Sequence, residues 1–513
     1  MNLYTVLESG FPADRSTICL EIPGGRDRTW NEIDRGSARM ANWLASLGIA
    51  RGSRVAAPVE KSPEGLMLYL ATLRAGFVFL PLNTAYRDAE LEYFFGNATP
   101  AVVVCPGKSL GWIEPIAKKT NVAHCVTLNE DGTGALMDAA ASQPDTFTTL
   151  ELSDDTLASI LYTSGTTGRS KGAMLSHGNL GSNALTLREH WGWRSDDVLL
   201  HMLPIFHIHG LFVAVNGALL AGAKMIWLSK FDGKAAVRHL PGATLMMGVP
   251  TFYVRLLTEA DFTCETCRNI RLFVSGSAPL LLETFTAFQE RSGHTILERY
   301  GMSETGMLVS NPYHEREGQR FGGTVGKPLP DVSLRITGED GQPCKPGEIG
   351  MIEVRGPGIF KGYWEMPEKT NEEFTADGWF RTGDMGRFGG EAAGLPVPDD
   401  YVSIVGRDKD LIISGGFNVY PKEIEGFIDD IPGVEESAVV GVPHPDFGEV
   451  GVAVVVAKPG VILDAAQIQV YLKTKIANFK VPKKVVIVPE LPRNTMGKVQ
   501  KNVLRQEYRE ACL

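Results

Sequence analysis

The chain has 513 residues, of which 44% are apolar and 21% are charged, and its formal net charge is −10 at pH 7. This composition excludes a disordered chain, and the length allows two or more domains with large buried cores. The negative charge and the lack of a long Lys/Arg run argue against nucleic acid as a partner, because phosphate contacts need a basic face.

The N-terminal region predicts a cytoplasmic protein. Its first residues contain no basic segment followed by an apolar core, so neither a secretory signal nor an Arg-rich transit peptide is expected. Residues 66–82 form the strongest apolar run, but Arg74 and Gly76 interrupt it, which predicts a buried helix leading into a strand. The seven cysteines, an odd number, indicate free thiols in a reducing compartment, and the C-x-x-C pair of Cys264 and Cys267 is interpreted as incidental.

The next part of the chain alternates between strand-like and helix-like segments. Such segments predict strands at residues 101–105, 157–163 and 271–277, and helices at 64–75 and 251–259. This alternation is typical of an α/β fold with largely buried parallel sheets, in which ligand-binding loops follow the carboxyl ends of strands.

The last third of the chain differs from the preceding part in amino-acid composition and in the spacing of its predicted elements. Residues 327–363 are rich in Gly and Pro and contain short alternating strands, which predict a small antiparallel β-barrel. Residues 386–407 contain several Gly, Ala and Pro residues and predict a surface excursion. Beyond residue 406, strands at 435–440, 451–458 and 483–488 and a helix at 464–478 are predicted. The sequence therefore predicts a domain boundary at residues 407–410.

Residues 162–172, YTSGTTGRSKG, form the clearest functional motif. Residues 163–168 are all Gly or hydroxyl residues, and Lys171 follows. Glycines let backbone N–H groups approach an anion, hydroxyl groups donate further hydrogen bonds, and the lysine adds a positive charge. The motif predicts a phosphate-binding loop. It is not the Walker loop, because Ser170 stands where that loop has glycine.

Five further motifs extend this pattern: SGSAPL at 275–280, ERYGMSET at 298–305, TGD at 382–384, GRDKDLIISGGFNVYPKEIE at 406–425 and PRNTMGKVQK at 492–501. In this order and spacing they resemble the core motifs of the acyl-adenylate-forming superfamily, which includes acyl-CoA synthetases, luciferases and the adenylation domains of peptide synthetases. The resemblance covers nearly the whole chain. It implies an α/β N-terminal AMP-binding domain of two stacked sheets plus a small β-barrel (1–406), a hinge (407–410) and a mobile α+β C-terminal lid domain (411–513).

The resemblance also implies a nucleotide site. Activation of a carboxylate by ATP needs charge stabilisation at the phosphates more than a protein nucleophile. By resemblance, Lys171 is catalytic and holds the leaving phosphates, Glu304 binds Mg²⁺, Tyr300 stacks on adenine and Asp384 accepts the ribose hydroxyls. The implied nucleotide-binding residues are Thr163, Ser164, Gly165, Thr166, Thr167, Gly168, Gly276, Ser277, Ala278, Pro279, Glu298, Arg299, Tyr300, Gly301, Met302, Ser303, Asp384 and Arg407.

The C-terminal motifs imply two conformations of the lid domain. Lys498 matches the catalytic lysine that bridges carboxylate and α-phosphate during adenylation, and Lys409 occupies the hinge. In the second conformation, Gly415, Gly416 and Phe417 line the tunnel for the pantetheine of coenzyme A, whose thiol is the nucleophile. Acetylation of Lys498 by a lysine acetyltransferase, reversed by a deacetylase, is an expected control, because it removes the charge that adenylation needs.

The acid pocket is predicted from His207, Arg255 and Ser277. His207 resembles the family's histidine near the acyl carboxylate, and a metal role for the H-x-H pair with His209 is not favoured, because a third ligand is not evident. Arg255 lies on a predicted helix that forms the floor of the acyl pocket in the superfamily. An arginine in an apolar pocket needs an anion and so favours a dicarboxylate. Alternatively, Arg255 faces Glu259, four residues further along the helix.

The motifs are most similar to those of the malonyl-CoA synthetase family. That similarity implies malonate, ATP and coenzyme A as substrates and Mg²⁺ as cofactor, with neither nucleic acid nor a membrane as partner. Methylmalonate is a further candidate, because an apolar pocket discriminates one methyl group only about 10- to 200-fold. The alternatives are a ligase for an aryl or medium-chain acid, an enzyme that loads a free carrier protein, and a non-catalytic relative.

Overall fold

The computed structural model describes residues 1–164, 170–278, 280, 282–338, 340–392, 395–407, 412–419, 421–492 and 499–513. In chain order, its α-helices are α1 (Leu3–Glu8), α2 (Trp30–Ser46), α3 (Pro63–Arg74), α4 (Asp88–Ala98), α5 (Gly107–Lys119), α6 (Ala135–Ala141), α7 (His177–His190), α8 (Asn216–Ala221), α9 (Gly233–His239), α10 (Pro250–Thr258), α11 (Leu282–Ser292), α12 (Pro367–Glu373), α13 (Pro421–Asp429), α14 (Ala465–Lys475) and α15 (Lys501–Glu507). A π-helix spans His209–Val215, and 3₁₀ turns span Leu240–Gly242, Glu315–Glu317 and Asn478–Lys480.

The strands in the same order are β1 (Ile18–Glu21), β2 (Arg28–Thr29), β3 (Arg54–Ala57), β4 (Val78–Pro81), β5 (Val102–Cys105), β6 (His124–Thr127), β7 (Leu157–Ser164), β8 (Ser170–Ser176), β9 (Val198–His201), β10 (Lys224–Trp227), β11 (Leu245–Gly248), β12 (Leu272–Ser275), β13 (Leu297–Met302), β14 (Gly306–Ser310), β15 (Lys327–Pro328), β16 (Ser333–Thr337), β17 (Gly350–Arg355), β18 (Phe380–Ala392), β19 (Leu395–Arg407), β20 (Ile412–Ser414), β21 (Phe417–Val419), β22 (Val434–His444), β23 (Gly448–Ala457) and β24 (Lys484–Val488).

Local sequence explains where several helices begin. Thr29 caps α2 because its hydroxyl accepts a hydrogen bond from the backbone N–H of Glu32, whose carboxylate accepts one from the backbone N–H of Thr29 in return. Ser62 caps α3, and Pro63 follows at the first helical position, where a missing N–H costs nothing. Every residue of α3 is buried, so this helix lies inside the molecule.

The strands form an α/β fold with two large sheets. One has nine strands in the order β15-β14-β13-β12-β11-β9-β10-β1-β2, parallel at its centre and antiparallel towards both edges. The other has six, in the order β6-β5-β3-β4-β7-β8. A four-stranded sheet, β16-β17-β18-β19, and a five-stranded sheet built from β20 to β24 complete the fold. The α/β prediction is therefore confirmed.

The chain divides into two compact units. The first comprises Met1–Thr84, Phe95–Leu161 and Gly172–Gly406, and the second comprises Ala85–Phe94, Tyr162–Lys171 and Arg407–Leu513. The division between Gly406 and Arg407 falls where the sequence predicts the hinge to start. The sequence did not predict that two short segments from the first half of the chain belong with the C-terminal part.

Two regions of the last third of the chain differ from, or refine, the predicted elements. The described residues of the predicted excursion at 386–407 instead belong to the long strands β18 and β19, and Tyr401 and Val402 among them are fully buried. Tyr401 and Val402 contribute apolar side chains to the core, but the Gly residues in this region obscured the strand pattern. The predicted barrel region corresponds to the four-stranded sheet.

Among the described residues, no helix has the length and apolar character needed to cross a membrane.

Candidate active site

The loop after β9 and the loop after β12 bring two histidines and a serine together. The backbone N–H of His209 donates to Nδ1 of His207 at 3.2 Å, and the hydroxyl of Ser277 lies 3.3 Å from Nδ1 of His209. Burial, followed by the positive charge of Arg299, lowers the pKa of His207 to about 4 and holds that of His209 well below its usual value. Both imidazoles are therefore neutral at pH 7.

Arg299 and Glu298 are consecutive residues of β13, and both are buried although one side chain is basic and the other is acidic. Their residues are 3% and 6% exposed. Oε1 of Glu298 accepts from the backbone N–H of Leu280 at 3.0 Å, whereas Oε2 has no hydrogen-bond partner among the described residues. Burial raises the pKa of Glu298 to about 8 and lowers that of Arg299 to about 9. At neutral pH, Glu298 therefore holds its proton while Arg299 remains charged.

The guanidinium group of Arg299 lies directly against Gly276. A Cβ atom at Gly276 would be 2.3 Å from Cζ of Arg299, so a larger residue there would displace the guanidinium group. Within the described part of the chain, Nε and Nη2 of Arg299 have no hydrogen-bond partner. Its positive charge also lowers the pKa of both His207 and His209. Arg299 is therefore a buried cation that acts electrostatically on two neutral imidazoles.

The predicted adenine and ribose residues lie in contact with each other. The hydroxyl of Tyr300 donates to Oδ2 of Asp384 at 2.5 Å, and Asp384 is 2% exposed. The backbone N–H of Asp384 donates to the hydroxyl of Thr382 at 3.1 Å, which orients the TGD turn. A carboxylate held in this way can accept two further hydrogen bonds from a vicinal diol.

Glu304, the predicted metal ligand, is buried next to a tyrosine. It is 4% exposed, and its Oε1 accepts from the hydroxyl of Tyr363 at 3.2 Å. The backbone carbonyl of Glu304 accepts from the N–H of Phe360 at 2.8 Å, which fixes the turn after β13. Tyr363 is a site residue that the motifs did not predict. Within the described residues, no group of three potential metal ligands is present, so any bound ion would take most of its ligands from elsewhere.

The phosphate-binding motif is described at its two ends. The hydroxyl of Thr163 lies 3.5 Å from the backbone carbonyl of Lys171, and Lys171 is 6% exposed. Several predicted residues lie outside the described part of the chain: Gly165, Thr166, Thr167, Gly168, Pro279, Lys409 and Lys498. Of Ser164 and Arg407, only the backbone is described, in β7 and β19.

The glycines of the predicted coenzyme A segment form a tight hairpin turn. Gly415 and Gly416 connect β20 to β21, with φ of +57° and +82°. A two-residue hairpin turn of this kind needs positive φ at both positions, which explains the pair of glycines independently of any ligand. The ring of Phe417 stacks on that of Phe479 at 4.4 Å between centroids.

Arg255 has an exposed side chain in this structure. It lies in the last turn of α10, whereas Tyr253 and Leu256 form the buried face of that helix, and the hydroxyl of Tyr253 donates to the carbonyl of Val274 at 2.6 Å. The structure shows the Arg255 side chain exposed, so its role in the acid pocket stays a prediction. Arg299, which its motif assigns to the nucleotide site, is buried. An arginine within the apolar strand ILERYGM is the signal that could have indicated this burial.

Comparison with protein-family models shows the class of protein to which the chain belongs. The family model described as AMP-binding enzyme matches residues 9–364, and the model of the AMP-binding enzyme C-terminal domain matches residues 423–498. The first match alone covers more than half of the chain. The chain therefore belongs to the AMP-binding enzyme family.

Individual relatives and solved structures are similar to most of the chain. The structure of ATP-bound MatB from Rhodopseudomonas palustris is 52% identical, with a TM-score of 0.77 and 99% coverage of both chains. A malonyl-CoA ligase complex with methylmalonyl-CoA and AMP is 32% identical, with a TM-score of 0.80 and coverage of 96% of this chain and 100% of the other. The mitochondrial malonate–CoA ligase ACSF3 of Mus musculus is 36% identical over 85% of this chain and 79% of its own length. Feruloyl-CoA synthase of Amycolatopsis sp. is 35% identical over 94% and 95%.

Proposed function

We propose that this protein is an AMP-forming malonate–CoA ligase. In the first step, a carboxylate oxygen of malonate attacks the α-phosphorus of ATP and pyrophosphate leaves. In the second step, the thiol of coenzyme A attacks the acyl carbon of malonyl adenylate, and AMP leaves. Support comes from relatives that act on malonate and from structures of relatives that hold ATP, AMP or an acyl-CoA.

The observation that carries the malonate assignment is the buried charge of Arg299. A buried guanidinium is costly unless an anion pairs with it, and its neighbour Glu298 is neutral at pH 7. A carboxylate fits the fork of a guanidinium with two parallel hydrogen bonds. We infer that the second carboxylate of malonate binds Arg299, with His207, His209 and Ser277 beside it. Methylmalonate, with one more methyl group, is proposed as a further substrate.

The nucleotide residues take the roles that their motifs imply. Asp384 would accept the ribose hydroxyls and Tyr300 would stack on adenine, while Lys171 and Lys498 would hold the phosphates and the attacking carboxylate. During thioester formation, the segment with Gly415 would face the pantetheine. The thiol of coenzyme A supplies the nucleophile, so the protein needs no catalytic serine or cysteine.

Mg²⁺ is proposed as the metal cofactor. The buried carboxylate of Glu304 is a hard oxygen ligand, and Mg²⁺ typically binds through one or two carboxylates while substrate phosphates and water complete its coordination. The ion would neutralise charge on the phosphates when bound. Residence in the cytoplasm also stays a proposal.

A hydroxycinnamate ligase is the second candidate, because the feruloyl-CoA synthase is similar over nearly the full length of both chains. An aromatic acid would leave the guanidinium of Arg299 buried without a partner, which disfavours it.

Acid-dependent release of AMP tests the proposal. The purified enzyme is mixed with ATP, Mg²⁺ and coenzyme A and offered malonate, methylmalonate, succinate, acetate, octanoate, 4-coumarate or ferulate, with mass spectrometry of the thioester formed. We expect malonyl-CoA as the main product and activity that EDTA abolishes. Turnover of ferulate or octanoate in preference to malonate would overturn the assignment and leave the family unchanged.

A further inference from the structure

The second unit contains a buried cluster of three charged side chains that the proposed reaction does not use. Nζ of Lys480 donates to Oε1 of Glu90 at 3.0 Å and to Oε1 of Glu423 at 2.8 Å. The three residues are 3%, 4% and 8% exposed. Oε2 of Glu90 accepts from the backbone N–H of Arg87 at 3.0 Å, which orients the carboxylate. We call Lys480, Glu90 and Glu423 the charge triad.

The charge triad joins parts of the chain that are far apart in sequence. Glu90 lies in α4, Glu423 lies in the first turn of α13 and Lys480 ends the 3₁₀ turn Asn478–Lys480. Burial disfavours the charge of Lys480, but the two carboxylates outweigh this effect and raise its pKa. A buried ion cluster seldom adds much net stability, whereas removal of one partner leaves a buried charge uncompensated. The triad therefore fixes the geometry of these segments more than it stabilises them.

Aromatic side chains continue from the triad along segment Ala85–Phe94. Nζ of Lys480 lies 5.1 Å from the ring centroid of Tyr86, and the ring of Tyr86 packs on that of Phe94 at 5.0 Å. Phe94 in turn packs on Tyr162 at 4.5 Å. Tyr162 immediately precedes the phosphate-binding motif residues Thr163 to Gly168.

The same segment also reaches the other end of the phosphate-binding motif. The hydroxyl of Tyr93 donates to the backbone carbonyl of Ser170 at 2.7 Å, and its ring lies 6.2 Å from that of Tyr162. Ser170 precedes Lys171, the predicted phosphate-binding lysine. Segment Ala85–Phe94 therefore contacts residues at both ends of the motif, and its other end is tied to Lys480.

We propose that Lys480 and Glu90 are positioning residues that set the spacing of the two ends of the phosphate-binding loop, and so the affinity for the phosphates of ATP. This inference rests on the proposed role of that loop. The link runs from Lys480 through Glu90 and Tyr86 to Phe94 and Tyr93. It makes nucleotide affinity depend on Lys480, a side chain of the C-terminal segment for which no contact with the nucleotide is proposed.

The variants Glu90→Gln and Tyr93→Phe test this link at two points. Glu90→Gln removes one charge and keeps the Lys480–Glu423 pair, while Tyr93→Phe keeps the ring and removes the hydroxyl that donates to Ser170. Leu472→Ala is the control, because Leu472 is fully buried in the hydrophobic core of the C-terminal part and belongs to neither the triad nor the aromatic link. Titration calorimetry measures the dissociation constant of Mg·ATP without any acid, so the result does not depend on malonate as substrate.

We expect both single variants to weaken ATP binding at least about fivefold, and the double variant to bind no more weakly than the weaker-binding single variant, because both interrupt one link. Leu472→Ala should lower the unfolding temperature and leave ATP affinity within about twofold of wild type. In malonate-dependent ATP–pyrophosphate exchange, the KM for ATP should rise in the Glu90 and Tyr93 variants while the KM for malonate stays constant. Unchanged ATP affinity in both single variants, additive losses, or an equal loss in the Leu472 control would overturn the inference. Absence of exchange with malonate in the wild type would instead contradict the proposed function.

Discussion

At the scale of single residues, β13 buries a carboxyl group and a guanidinium group at consecutive positions, and the described salt bridges include none between them. Glu298 is bonded to the backbone of Leu280, and Arg299 lies against Gly276. Burial shifts both pKa values towards neutrality, and the ligand we propose would supply the missing negative charge. The anion that we propose would therefore offset the cost of burying the guanidinium group.

This environment predicts how stability depends on pH. Burial raises the pKa of Glu298 from 4.5 to about 8, so between these values the folded protein keeps a proton that the unfolded chain releases. Its contribution to the free energy of unfolding is thus greatest below pH 4.5 and falls as pH rises towards 8. Glu298→Gln lacks this term, and its stability relative to the wild type should rise with pH by up to about 1.4 kcal/mol per unit.

Urea unfolding of the ligand-free wild type and Glu298→Gln, at pH 5, 6.5 and 8, measures the difference. Parallel stability curves over this range would mean that Glu298 is already ionised in the folded protein.

At the scale of elements, the hairpin of β20 and β21 belongs to the predicted coenzyme A segment. Its turn needs residues with positive φ. Gly415 has φ of +57°, and an added Cβ would lie 3.1 Å from the ring of Phe447. Gly415→Ala should therefore lower the free energy of unfolding by about 1–2 kcal/mol. Gly426→Ala is the matched control: it lies exposed in α13 with open space at its Cβ position, and should raise stability by about 0.5–1 kcal/mol.

Thermal and denaturant unfolding of the two Gly→Ala variants gives the comparison directly. Equal effects in the two variants would show that the hairpin turn is not held in the left-handed conformation.

Elements with strong periodicity could be predicted from the sequence, and their orientation could not. Apolar runs at 102–105 and 272–275 and the helix Pro63–Arg74 are buried in the way their patterns predict. Helix α10 has only nine residues, and its pattern did not reveal that Arg255 lies opposite the buried face. Arg299 was found through its motif, but its burial beside Gly276 depends on strands that are distant in sequence. The same is true of Lys480 and Glu90, which are 390 residues apart.

At the scale of the whole molecule, the chain forms two units, and the proposed reaction has two steps. Lys498 lies outside the described residues, so its role stays a prediction from its motif. We expect Lys498→Ala to slow malonate adenylation by about 10²- to 10³-fold, since it removes a charge at the reacting phosphate. Formation of malonyl-CoA from preformed malonyl adenylate should be retained. Single-turnover assays of the two steps measure this, and equal loss of both would contradict separate roles for the C-terminal motifs.

The central claim is that Arg299 recognises the second carboxylate of malonate. Its most direct test is kcat/KM for malonate and for propionate, which lacks that carboxylate, in wild type, Arg299→Met and Arg255→Met. We predict that Arg299→Met lowers kcat/KM for malonate at least about 30-fold, as expected when one partner of a buried charge pair is removed, and does not lower it for propionate. Arg255→Met should stay close to wild type. Equal losses for both acids in Arg299→Met, or a malonate-specific loss in Arg255→Met alone, would contradict the account.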